Sequence, residues 1–181
     1  MANTKEQFDH IISNCRSLFS NKLKDYGASW RILRPQSVTD QILIKARRIR
    51  SIEETGKNMV GDSISSEFVA IVNYCVIGLI QLELGYSDQI DIQEKNVLEL
   101  YDKYISQTKD LLFAKNHDYG EAWRSMRISS YTDLILTKLY RIKQMEGNNG
   151  KTIVSEGIDS NYMDILNYSV FGLIKLEYPE N

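Results

Sequence analysis

Two lysine–arginine pairs stand at the same helical spacing: Lys45 with Arg48, and Lys138 with Arg141. Residues three apart on a helix share a face. A lysine point charge beside a forked guanidinium suits a phosphate. A solvated face with carboxylate partners would use the same spacing, so both readings stand. Acidic residues gather where a third apolar segment begins in each half: Asp62 and Glu67 in the first, and Glu156, Asp159 and Asp164 in the second. Glu156 and Asp159 could cap a helix start, where negative charge suits the dipole. Asp164 is different. It lies a turn further in, between Met163 and Ile165, where a carboxylate is costly unless paired. A Mg²⁺ ion held by one or two carboxylates, drawn from Glu156, Asp159 and Asp164 or from Glu67 in the first half, with substrate phosphate oxygens would pair it. A buried Asp–Arg or Asp–Lys pair would do so equally.

Aromatic and amide side chains complete the set. Asp25-Tyr26-Gly27 and Asp118-Tyr119-Gly120 read as turns, with Gly free to adopt positive φ. The aspartates are also candidate ligands, and Tyr26, Trp30, Tyr119 and Trp123 candidate walls for a base, since aromatic stacking contributes about 1–3 kcal/mol per base. Asn73 and Asn167, inside apolar segments, are either inter-helix hydrogen-bond specifiers or ligand contacts.

These residues recur because the chain is written twice. At an offset of 93, residues 24–54 match 117–147 at 15 of 31 positions. At an offset of 94, residues 64–83 match 158–177 at 11 of 20. The expected units are 1–86 and 87–181, together one compact domain. Each reads as three helices and a polar loop. Phe8, Ile11, Ile12, Cys15 and Phe19 set the first helix; Thr39 is a candidate N-cap for the second, after a stop at Pro35; Ser63 or Ser66 opens the third. The second unit's middle helix is expected over about 132–145 and its last over 160–177. With no alternating β-branched runs, the fold is all-α: a helical bundle of two tandem three-helix repeats about a pseudo-twofold axis.

Composition narrows the function. The 181 residues carry 22 Lys+Arg against 24 Asp+Glu, a net charge of −2, which disfavours a nucleic-acid binder despite the basic run Lys45–Arg50. Two histidines leave little for zinc sites or a Ser-His-Asp triad, and Gly147–Thr152 has the wrong glycine spacing for a phosphate loop. Two cysteines in apolar stretches suggest buried thiols. The amino terminus lacks a signal region and no apolar run approaches about 20 residues, so a cytoplasmic protein away from membranes is expected. A tandem chain could replace a homodimer, or two copies could pair again.

Asp-Tyr-Gly, a following Trp, a Lys…Arg helix and an acidic cluster leading into Asp164-Ile-Leu-Asn-Tyr168 together resemble the nucleotide modification associated domain 1 family. The resemblance covers roughly residues 20–83 and 113–177. That family is similar to the MazG-like all-α nucleoside triphosphate pyrophosphohydrolases. The resemblance implies Mg²⁺-dependent cleavage between α- and β-phosphates of a nucleotide, with ExxE and ExxD carboxylate pairs holding the metal. Position by position, ExxD falls on Glu67…Ala70 in the first unit and Asn161…Asp164 in the second, so each keeps a different half. No ExxE accompanies Glu53 or Glu146. The implied site is one composite across the axis, one in the second unit, or none. In the hydrolytic reading Glu156 and Asp164 hold the metal, Lys138 and Arg141 offset charge on the phosphoryl oxygens, and Tyr119 and Trp123 wall the base. The rival is a non-catalytic nucleotide-binding or assembly module. A small nucleotide is the ligand in both.

Overall fold

A computed structural model describes residues 3–57, 61 and 63–179. Asp62 lies outside them. Six helices follow in order: α1 (Thr4–Tyr26), α2 (Pro35–Thr55), α3 (Ile64–Leu84), α4 (Glu94–Tyr119), α5 (Ile128–Gly147) and α6 (Ile158–Glu177). Short 3₁₀ turns, Ser29–Ile32 and Ala122–Ser125, join α1 to α2 and α4 to α5. No strand occurs among the described residues, and the all-α tandem repeat is as expected.

Local chemistry sets the ends. The Asn3 side chain accepts from the amides of Lys5 and Glu6, and Ser63 accepts from Ser66 to open α3. Pro35 does not stop a helix; it begins one. Its fixed φ and missing N–H suit the first turn, so α2 starts four residues before Thr39. Thr39 therefore sits inside α2, its hydroxyl free to bond elsewhere. The aspartate and tyrosine of each Asp-Tyr-Gly close α1 and α4 as helical residues, and only the glycine turns, with φ of 70° at Gly27 and 62° at Gly120.

Helices α2, α3, α5 and α6 form the central bundle, with α1 and α4 packed against its α3 and α6 side. By length and composition α3 would cross a membrane. Here most of its side chains from Phe68 to Ile80 are instead buried, with Val69, Ala70 and Tyr74 partly so, in a helix packed against α6 and α2, which accounts for its apolarity.

The pseudo-twofold axis is visible residue by residue. A Cβ on Gly78 would come within 3.0 Å of the Tyr162 ring, and one on Gly172 within 3.0 Å of Phe68. These glycines are equivalent, as are the two rings, so α3 and α6 approach through the same notch used twice. Around the outside, Arg16 pairs with Asp102 at 2.7 Å, and Lys109 pairs with Asp9, the equivalent residues exchanged. Between α2 and α5, Thr39 donates to Glu146 at 2.6 Å and Thr132 bonds Glu53.

Candidate functional site

Two equivalent cavities lie between each 3₁₀ turn and its third helix, and they differ in size. The first repeat's holds about 440 Å³ and is lined by Lys22, Tyr26, Trp30, Lys45, Glu67, Ala70, Asn73, Tyr74 and Ile77, among others. The second repeat's holds about 120 Å³ and is lined by the counterparts Lys115, Tyr119, Trp123, Asp164, Asn167, Tyr168 and Phe171.

The tryptophans are placed by the turns. Gly27 ends α1, the chain folds into Ser29–Ile32, and Trp30 is carried inward. Gln81 of α3 fastens this turn, its amide donating to the carbonyls of Trp30, Arg31 and Leu33 at 3.3, 3.0 and 2.6 Å. Arg31 is buried, bonds Gln81 and the Gly85 carbonyl, and meets Asp91 at 2.9 and 3.3 Å. That guanidinium holds the Asp91 carboxyl below its ordinary pKa. In the second repeat Lys175 takes the place of Gln81, donating to the carbonyls of Arg124 and Met126.

The charged residues resolve into two compact pairings. Glu67 is buried, with Arg48 on Oε1 at 2.7 Å and Lys45 3.6 Å from Oε2. Asp164 is buried between Lys115 on Oδ1 and Lys138 on Oδ2, the latter at 2.8 Å. The buried Asp–Lys pair named as one alternative from sequence is therefore formed. Lys22, the counterpart of Lys115, makes no ion pair among the described residues because Ala70 stands where Asp164 would be.

The remaining sequence candidates are not drawn into the same place. Glu156 is exposed in the loop before α6, where Gly157 and not an acidic residue occupies the N-cap. Asp159 is exposed on the first turn and lines a separate groove with Glu83, Lys103 and Tyr104. Arg141 is exposed and forms no ion pair among the described residues, so only Lys138 of its pair reaches a carboxylate. Asp25 and Asp118 are exposed at helix ends and line neither cavity. Among the described residues, no three His, Cys, Asp or Glu side chains gather where a metal ion could sit. A resident Mg²⁺ does not fit this donor set: Glu67 and Asp164 lie in different repeats, each already facing two cations.

The asparagines act as inter-helix hydrogen-bonding groups. Asn73 donates to the Cys15 carbonyl at 3.1 Å and accepts from the Tyr101 hydroxyl at 2.8 Å. Asn167 donates to the Thr108 carbonyl at 3.2 Å, but its Oδ1 has no partner. The reason is one atom: the counterpart of Tyr101 is Phe8, which lacks a hydroxyl.

Sequence reasoning missed Lys22, Lys115, Tyr74, Ile77 and Phe171. Phe171 is the decisive one. It stacks on Trp123 with centroids 4.3 Å apart and planes 6° from parallel, while the Arg124 guanidinium lies 4.3 Å from the same indole. Its counterpart Ile77 leaves Trp30 without such a ring, with Phe19 tilted at 6.4 Å as a neighbour.

Those repeated cavities coincide with a known sequence signature. The family model described as nucleotide modification associated domain 1 matches residues 22–82 and again 115–176. The chain belongs to this family. Each match runs from the lysine of a cavity, Lys22 or Lys115, into the last turn of the third helix that backs it. No curated protein and no solved structure matches the chain. Membership of nucleotide modification associated domain 1 associates the chain with nucleotide modification and no more; which chemistry it performs has to be argued from the cavities.

Proposed function

We propose that the first repeat of this protein is a nucleotide-binding module. The cavity of about 440 Å³ supports this, because it combines four aromatic side chains, Phe19, Tyr26, Trp30 and Tyr74, with two lysines, Lys22 and Lys45. An aromatic wall accepts the face of a base and lysine a phosphate. Glu67 and Arg48 hold the stem of the site: the buried carboxylate lies 3.6 Å from Lys45, and Arg48 pairs with its other oxygen at 2.7 Å.

Binding is better supported than hydrolysis. Pyrophosphate release needs a group that activates water or holds a metal at the phosphates. Glu67 and Asp164, the two buried acidic residues of the third helices, are each engaged by two cations instead. Calorimetric titration with the four deoxynucleoside triphosphates, with and without Mg²⁺, beside an assay for released pyrophosphate, tests the proposal. Saturable binding without turnover is expected. Heats no larger than dilution for the whole panel would overturn it, and turnover lost in Glu67→Gln would replace it with the hydrolytic reading.

A further inference from the structure

The two cavities differ at two positions that a ligand would care about. Where the first repeat has Ala70 the second has Asp164, and where the first has Ile77 the second has Phe171. Both larger residues point their chemistry at residues that the two repeats share: Asp164 bridges Lys115 and Lys138, which correspond to Lys22 and Lys45, and Phe171 lies flat on Trp123, which corresponds to Trp30. Both residues line the second cavity, which holds about 120 Å³ against about 440 Å³ in the first.

We infer that Asp164 and Phe171 are built-in substitutes for the anionic and planar parts of the ligand, so that each chain binds one nucleotide, in the first repeat alone. This rests on the nucleotide-binding reading and adds the pose: a base stacked on Trp30 in the place Phe171 takes on Trp123, and a phosphate between Lys22 and Lys45 in the place Asp164 takes between Lys115 and Lys138. A carboxylate and a phosphate both offer anionic oxygens to ammonium groups. A benzyl ring and a base both offer a flat face at stacking distance. Charge supports the pose, since Lys22 lacks an ion pair among the described residues whereas Lys115 has one. Loss of the ring alone or of the carboxylate alone would leave a half-site. The first repeat lacks both at these positions: its own carboxylate, Glu67, pairs with Arg48 and lies beside Lys45 but makes no ion pair with Lys22, which leaves room for a ligand carrying both chemistries.

The test exchanges the two positions. Wild type is titrated calorimetrically with the four deoxynucleoside triphosphates without metal, beside Asp164→Ala/Phe171→Ile and the reciprocal Ala70→Asp/Ile77→Phe, with folding followed by circular dichroism. One equivalent is expected for wild type and two for the opened second repeat. At least a tenfold weaker affinity is expected for the closed first repeat. If the opened variant fails to fold, the reciprocal variant decides. Wild-type binding of one equivalent that Ala70→Asp/Ile77→Phe leaves unchanged would overturn this inference and keep the nucleotide-binding reading. Wild type that binds none of the four would overturn both.

Discussion

Arg47 and Tyr140 occupy the same position of the two repeats, and they touch: the arginine Nη2 donates to the tyrosine hydroxyl at 3.1 Å. A residue can meet its own counterpart only where the axis relating the repeats passes between them. The neighbouring ion pairs agree, with Lys143 on Asp40 at 3.1 Å and Arg50 near Asp133 at 3.8 Å, again equivalent residues exchanged. The duplicated unit is thus folded as a symmetric pair inside one chain, with α2 and α5 meeting at the axis.

That symmetry predicts where the fold is least tolerant. Gly78→Val and Gly172→Val would push methyl groups into the Tyr162 and Phe68 rings, both fully buried. Each is expected to destabilise by about 1–3 kcal/mol, the usual range for overpacking, visible as a lower denaturant midpoint. Phe68→Leu should lessen the damage in Gly172→Val and not in Gly78→Val. Equal effects in both would contradict the reciprocal packing.

A hydroxyl decides the next contrast. Tyr101→Phe removes the donor to Asn73 and makes the first repeat resemble the second. It should cost about 1–2 kcal/mol, as for a buried acceptor left unsatisfied. Phe8→Tyr supplies the missing donor to Asn167, and chemical denaturation should show it neutral to stabilising despite the complete burial of Phe8.

Stability also responds to pH through the axis-flanking carboxyls. Partial burial pushes the pKa of both Glu53 and Glu146 above the ordinary carboxylate value. Glu146 sees the Thr39 hydroxyl, Asp40 and Lys143; Glu53 sees Thr132, Asp133, Arg50 and Glu54. A raised carboxyl takes up its proton more readily folded than unfolded, so stability from these groups grows as pH falls toward the raised values and is lost as pH rises through them. Asp91 and Glu83, held low by Arg31 and by Lys103, act oppositely, and only at more acidic pH. Glu146→Gln keeps the acceptor for Thr39 and should raise Tm by about 1–2 °C at pH 7, less at pH 5. A Tm gain of equal size at both pH values would contradict the assignment.

The cavity residues should divide cleanly by repeat. Trp30→Ala should weaken nucleotide binding roughly 10–100-fold, the loss of one stacked base, and Lys22→Ala roughly tenfold. Lys115→Ala should leave affinity unchanged, because that lysine already serves Asp164. Calorimetry on the three variants separates these outcomes.

The fold and the duplication were legible because apolar spacing and repeated identities are local signals, and Ser63, Gly27 and Gly120 took the roles their chemistry suggests. Pro35 misled, since a proline closes one element and opens another with equal ease. The candidate site was half legible. Tyr26, Trp30, Lys45, Asn73 and Glu67 do share one cavity, whereas Glu156 and Asp25 were attractive only for their charge and lie outside it. Lys22 and Lys115 stand just before the densest run of identities. Phe171 could not be singled out from sequence, because a phenylalanine in an apolar helix reads as core until its plane is seen against Trp123. The informative signal was the pair of differences between repeats, Ala70 against Asp164 and Ile77 against Phe171.

The most direct measurement uses the fact that the chain has two tryptophans. In Trp123→Phe, Trp30 becomes the sole indole, and its fluorescence is titrated with each deoxynucleoside triphosphate. The account predicts a saturable change in Trp30 emission at one equivalent per chain for at least one of the four. Emission that stays constant for all four up to millimolar concentration, in a chain that remains folded, would contradict it.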